Sequence, residues 1–432
     1  MTRAGVVKVG AEIGFSANCP KNNFRPAAGA EKCVSLQMMC RIKTYLVLLV
    51  AVILAACNGI EPPYTGTFDQ VVIYYGMGYN NLSGNLKQNL VDLQEDVLPG
   101  LHREKAIVAF IHTPAIPGDY STPNAPVLIR FYRDRNGKSA ADTLKVYDDM
   151  TVSASPESIR RVLEDVRQTF PAEHYGLLIS SHGSGWLPAG YTKNSERAGA
   201  RAIGNQYANS GSTRWVEVKD LATAIPMHLD YMILDVCLAG CIEVAWELKD
   251  ICDRLVVSPT EILTMGMGYS WLSWDMFAGA KPDLETYCRE YYDYYNGQEG
   301  SYRSGTISLV DCARLQPLAD AFRFIIEAHR DALVYNTLTT RVQRYFYSST
   351  PLTFFYDLRD LATQIGASPD ELSRLDAALA EAVPVHYETP SFFDLSLDRC
   401  CGLSVYLPDP TRPSLNAYYR TLGWNQAVGL VK

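Results

Sequence analysis

From Phe68 onward the chain alternates short apolar runs with stretches of helical period. Val71-Val72-Ile73-Tyr74-Tyr75, closed by Gly76-Met77-Gly78, has the length and composition of a buried strand. Leu86 to Val97 reads as an amphipathic helix, Lys105 to Ile111 as a second strand, and Val127 to Tyr132 as an edge or hairpin strand. Ser155-Pro156-Glu157-Ser158 starts a helix with Ser at the cap and Pro in the first turn, and that helix runs to Phe170. Leu177 to Ile179, Tyr231 to Leu234 and Asp253 to Val257 are three more strands, and a helix opens at Ile242. Strands that alternate with helices predict an α/β fold with a mainly parallel sheet covered by helices on both faces.

The later chain continues with a tyrosine-rich helix over Tyr287 to Tyr295, read as a partly exposed amphipathic surface, and a strand over Thr306 to Val310. Helices follow over Ala313 to Val334, Asp357 to Ala362 and Pro369 to Ala382, then a late strand over Leu403 to Leu407 and an aromatic tail around Tyr418, Tyr419 and Trp424. This divides the folded part into a core over 68–310 and a C-terminal subdomain over 311–432. Residues 187–212 are polar and loop-like, with Lys193, Arg197 and Arg201 exposed by composition. A loop of that length in a compact domain is functional or disordered.

The amino-terminal segment is of a different kind. Residues 1–38 lack any sustained period, and Met39 then opens a second beginning, with Arg41 and Lys43 before the apolar run Tyr45 to Ile53. This is a charged region and apolar stretch of signal-peptide length, completed by Leu54-Ala55-Ala56-Cys57 in the manner of a bacterial lipobox. The expectation is translation from Met38 or Met39, with 1–38 no part of the protein, a signal peptide over 39–56, lipidation at Cys57, and a tether over 57–67. The protein would then sit in a bacterial cell envelope, lipid-anchored to the outer membrane or cell surface.

Composition narrows the function further. The formal net charge of −8 over 432 residues comes with no basic stretch, which argues against nucleic acid as a partner. Of 11 cysteines, seven follow Cys57: Cys237, Cys241, Cys252, Cys288, Cys312, Cys400 and Cys401. An odd number in an exported chain leaves at least one free thiol. No paired C-x-x-C spacing suggests a structural metal.

The candidate chemistry sits at two strand ends. The Leu177 strand ends in Ser180-Ser181-His182-Gly183-Ser184-Gly185-Trp186, a histidine followed by glycines that let backbone N–H groups face a ligand. The Tyr231 strand ends in Asp235-Val236-Cys237-Leu238-Ala239-Gly240, with 54 residues between His182 and Cys237. Cysteine nucleophiles act as thiolates, and an adjacent imidazole both activates the thiol and protonates the leaving group. His112 also follows a strand, but without glycines beside it, so His182 is the better base.

These motifs resemble the His-Gly-x-Gly-Trp and Asp-Ala-Cys-Leu-x-Gly motifs of the clostripain-like cysteine peptidases, in the clan of caspases and gingipains. Ser258-Pro259-Thr260-Glu261 and Gly402 to Pro408 extend the likeness, and Val236 departs from it where the family has Ala. The resemblance implies a caspase-like sheet, with Cys237 as nucleophile, His182 as acid/base partner, and the N–H groups of Gly183 and Cys237 as oxyanion donors. It places Asp235 in the pocket for the residue before the cut, with Glu261 a second candidate, and so implies protein or peptide substrates cut after Arg or Lys. It further implies self-cleavage at Lys193, Arg197 or Arg201, giving a monomer or a self-cleaved two-chain form. No cofactor is expected; some members need calcium, though the sequence carries no calcium loop. The alternative is a surface lipoprotein of the same fold that binds peptides or host ligands without cutting them.

Overall fold

The computed structural model describes residues 66–96, 105–134, 136–191, 203–207, 213–279, 281–346 and 354–432. The segments expected to precede the core, including Cys57 and most of the tether, lie outside the described residues, as do Lys193, Arg197 and Arg201.

Nine strands form the central sheet: β1 (Phe68–Met77), β2 (Lys105–His112), β3 (Val127–Arg133), β4 (Ser139–Val146), β5 (Ala172–Ser180), β6 (Leu229–Asp235), β7 (Cys252–Val257), β8 (Thr306–Asp311) and β9 (Val385–Glu388). Their spatial order is β9-β8-β7-β6-β5-β1-β2-β3-β4. The middle of the sheet, from β7 through β6, β5 and β1 to β2, is parallel. Both flanks are antiparallel. The chain lays β2 on one side of β1 and later β5 on the other, so the strand order reverses at β1. Open α/β sheets bind ligands at such a reversal, outside the carboxyl ends of the strands.

The central strands read as unbroken apolar runs because both of their faces are covered. Along β1, Val71, Ile73 and Tyr75 turn into one core, and Val72 and Tyr74 into the other. The first core is closed by the helices Pro156–Thr169, Ile242–Leu248 and Leu315–Ala328, and the second by Leu284–Asn296. The helix from Pro156 begins as its sequence predicts, with the Ser155 side chain accepting from the N–H of Ser158. Pro369–Ala382 carries a full capping box between Ser368 and Glu371.

Several elements differ from the sequence expectation or extend it. The tyrosine helix is amphipathic and partly exposed, as expected, and what the sequence left open is its buried face: Tyr287, Tyr291 and Tyr295, four residues apart, pack against the sheet while Tyr294 faces outward. Each such ring contributes about 2 to 3 kcal/mol of burial. The stretch 187–212 is not all loop, since Ile203–Tyr207 is a strand paired antiparallel with Thr213–Val216. Strand β4 is exposed or half-exposed along its whole length, with no apolar alternation to read, and β9 is short. The expected helix to Val334 stops at Ala328, and the late strand shrinks to Ser404–Val405, paired with Tyr356–Asp357.

Candidate active site

His182 and Cys237 leave adjacent parallel strands, β5 and β6, at their carboxyl ends, where Asp235 pairs with Ser180 in register. They line one cavity of about 520 Å3, together with Asp235, Glu261, Ser180, and the wall from Ile262 to Gly266. The approach of the two motifs is close. A Cβ added at Gly183 would lie 2.8 Å from the Cβ of Val236 and 3.2 Å from the carbonyl oxygen of Cys237. Only glycine lets the His182 loop lie this near the Cys237 loop. Among the described residues, neither the Gly183 nor the Cys237 N–H has a partner in another residue. Two donors at adjoining strand ends are an arrangement able to hold an oxyanion.

The backbone behind Cys237 is pinned. Leu238 takes a left-handed φ of 61°, rare for a branched side chain, and its N–H donates to the carbonyl of Thr260 at 2.9 Å. Gly240 N–H donates to Ser258, and Ser404 N–H donates to Gly240. The Ser258-Pro259-Thr260-Glu261 and Gly402-to-Pro408 stretches therefore act as braces for the cysteine turn.

His182 is held from both sides. Its ring Nε2 lies 2.7 Å from the Oδ1 of Asn81, and its carbonyl accepts from the N–H of Gly204 at 3.0 Å. Because Oδ1 only accepts, Nε2 carries the proton and Nδ1 keeps the lone pair. The neighbouring Ser181 donates its hydroxyl to Met77 at 2.8 Å and accepts from the N–H of Asn205. Asn80 ties the ends of β1 and the Ile203–Tyr207 strand together through the carbonyls of Met77 and Asn205.

The thiol of Cys237 touches the backbone of Ile262, whose N–H lies 3.4 Å from Sγ and whose carbonyl lies 3.9 Å away. Burial, and secondly the carboxylate of Glu261, push the thiol pKa up to about 12, against the opposing pull of the Ile262 N–H. The resting group is thus a neutral thiol. Burial also raises the Glu261 carboxyl to about 7. Asp235 is buried, and burial raises its carboxyl above the ordinary range despite three donors. Its Oδ2 accepts from Ser180 Oγ at 2.8 Å and Tyr269 OH at 2.5 Å, and its Oδ1 from the Met267 N–H at 3.1 Å.

The structure brings together His182, Gly183, Cys237, Asp235 and Glu261. It sets His112 apart, buried with Nδ1 on the Ser153 hydroxyl at 2.9 Å and its ring stacked on Tyr79. Beyond Glu261, Thr264 to Gly266 walls the cavity, while Leu272–Phe277 packs into the second core. Sequence reasoning missed Asn81, Ser180, Tyr269 and the Ile262 backbone. Asn81 had one available signal: it follows the end of β1, where a parallel sheet exposes polar groups. Among the described residues, no three His, Cys, Asp or Glu side chains gather as a metal site.

A histidine and a thiol at neighbouring strand ends, beside free backbone donors, define a cysteine peptidase. The chain belongs to the clostripain family, whose model matches residues 126–422. Similar solved structures include an inactive zymogen C11 protease from Parabacteroides distasonis, 26% identical over 85% of this chain and 99% of that one, with a TM-score of 0.71. The secreted C11 cysteine protease iotapain from Bacteroides thetaiotaomicron is 25% identical over 84% of this chain and 99% of its own, with a TM-score of 0.70. A secreted C11 protease of the same species, bound to an irreversible peptide inhibitor, shares the fold at 22% identity, covering 84% and 99%, with a TM-score of 0.68. The chain has no match among curated proteins.

Proposed function

We propose that this cysteine peptidase is an endopeptidase that cuts after Lys or Arg, with Cys237 as nucleophile and His182 as acid/base. The observation that carries the reading is the single cavity in which Cys237, His182 and the buried carboxylate of Asp235 meet. Cys237 Sγ attacks the scissile carbonyl while His182 Nδ1 takes the thiol proton, and the oxyanion is received by the Gly183 and Cys237 N–H groups. His182 then passes that proton to the departing amine. Water, deprotonated by His182, cleaves the thioester and restores the thiol. Asp235 neutralises the basic side chain before the cut, and Glu261 adds negative potential on the same wall.

A resting state that is inactive until processed belongs to the same reading, and the similarity to an inactive zymogen from Parabacteroides distasonis is compatible with it. Self-cleavage at Lys193, Arg197 or Arg201 is the proposed processing step, since these residues belong to the chain between the His182 and Cys237 strands. Lipidation at Cys57 and residence in the bacterial envelope complete the proposal, supported by the lipobox-like sequence alone.

The test is cleavage of fluorogenic Lys, Arg, Ala and Asp peptides by the chain from Asn58, with Cys237→Ala as control and both proteins run on a gel. Cleavage of Lys or Arg peptides and chain splitting, both absent from Cys237→Ala, is the expected result. Equal activity of the control, or a preference for Ala or Asp, sinks the assignment.

A further inference from the structure

We infer that Tyr269 and Ser180 make the pocket selective for Lys over Arg, by consuming the hydrogen-bonding capacity of Asp235. The inference rests on the proposed role of Asp235 as the partner of a basic side chain. An ionised carboxylate offers about four lone-pair sites. Both sites on Oδ2 are taken, by Ser180 Oγ and Tyr269 OH, and one on Oδ1 is taken by the Met267 N–H. One site on Oδ1 remains.

A guanidinium gains its advantage over an ammonium by forking onto both carboxylate oxygens at once. Here the second oxygen is already filled, so Arg is reduced to one direct bond. An ammonium needs only one acceptor on the carboxylate and can turn its other donors elsewhere. The room to approach side-on is also closed. A Cβ at Gly266 would stand 2.9 Å from Oδ2 and 3.3 Å from Oδ1, which puts the Gly266 backbone against the carboxylate. Asp235 keeps only 6% of its surface exposed, so what reaches it must come end-on. A long unbranched chain with a compact head meets that demand, and a planar fork does not.

Tyr269 and Ser180 are positioning residues in this account, and their effect appears in a ratio rather than in total activity. The experiment measures kcat/KM for two peptides that differ only in Lys or Arg before the cut, using wild type, Tyr269→Phe and Ser180→Ala, with circular dichroism on each. Wild type is expected to favour Lys by about tenfold, the effect of one charge-assisted hydrogen bond. Freeing a site on Oδ2 in either variant should move the ratio toward Arg by severalfold, chiefly through KM. A folding defect lowers both substrates together and leaves the ratio in place, and Ser180→Ala serves where Tyr269→Phe does not fold. Wild type favouring Arg, or a ratio unmoved in a folded variant, overturns the inference while leaving the Lys/Arg assignment standing. Failure to cut either peptide removes both.

Discussion

The ring of His182 is tied through Nε2 to the Oδ1 of Asn81, 2.7 Å away and 101 residues earlier in the chain. That bond sets the tautomer that the proposed mechanism needs, with Nδ1 ready to accept the thiol proton. Removing it takes away that hold on the ring and on its tautomer.

Asn81→Ala is therefore expected to lower kcat by about tenfold with KM little changed, a fraction of what a general base contributes. Steady-state kinetics on a Lys or Arg peptide decides it. A fall in KM-dependent terms alone would mean that Asn81 touches substrate instead.

Burial first, and the charge of Glu261 second, hold the Cys237 thiol up, so neutralising Glu261 should ease ionisation. Glu261→Gln is expected to react with iodoacetamide about threefold faster than wild type at pH 8, equivalent to a drop of roughly half a pKa unit in the thiol. The effect should vanish at pH 5.5, where the Glu261 carboxyl, titrating at about 7, is already neutral. Equal alkylation rates at pH 8 would contradict the coupling.

Gly183→Ala presses a methyl group on Val236 and on the carbonyl of Cys237. The His182 loop must then retreat, which draws one oxyanion donor away from the reacting carbonyl. A loss of about 100-fold in kcat is expected, with melting temperature lowered by only a few degrees. Pairing it with Val236→Ala, which removes the Cγ2 at 3.3 Å but keeps the Cβ at 2.8 Å, should recover little of the rate.

Glu243 sits wholly inside the protein, under the C-terminal tail, where it accepts from Tyr419 OH at 2.5 Å and from the Tyr406 N–H at 2.9 Å. Burial raises its carboxyl from an ordinary 4.5 to about 7. The folded chain therefore holds this proton more tightly than the unfolded chain. The stability it confers is complete below about pH 4.5 and is lost as pH rises toward 7, on the order of 3 kcal/mol. Glu243→Gln should shrink the difference in melting temperature between pH 5 and pH 8. An unchanged difference would show that other carboxyls govern it.

The parallel middle of the sheet was legible because its strands are apolar on both faces, and the helix from Pro156 because Ser155 and Pro156 write its start locally. The tyrosine helix was legible as amphipathic, because four-residue spacing shows that Tyr287, Tyr291 and Tyr295 share a face, yet not what covers it. Strand β4 was missed for the converse reason: an edge strand with exposed side chains has little apolar signal to give.

His182 and Cys237 could be named from the chain because each carries its chemistry and its glycines in one short stretch of sequence. The partners that tune them could not. Asn81, Tyr269 and Ile262 reach the site from other strand ends and loops, Ser180 sits beside His182 without any sign of its partner, and local sequence shows none of the bonds they make. The sequence by itself determined the apolar central strands and the two motifs at their ends that carry the proposed nucleophile and base, since these depend on local composition. Only the tertiary structure decided how the thiol is held neutral and how many acceptor sites Asp235 has left, because burial and hydrogen-bond partners arise when distant segments pack.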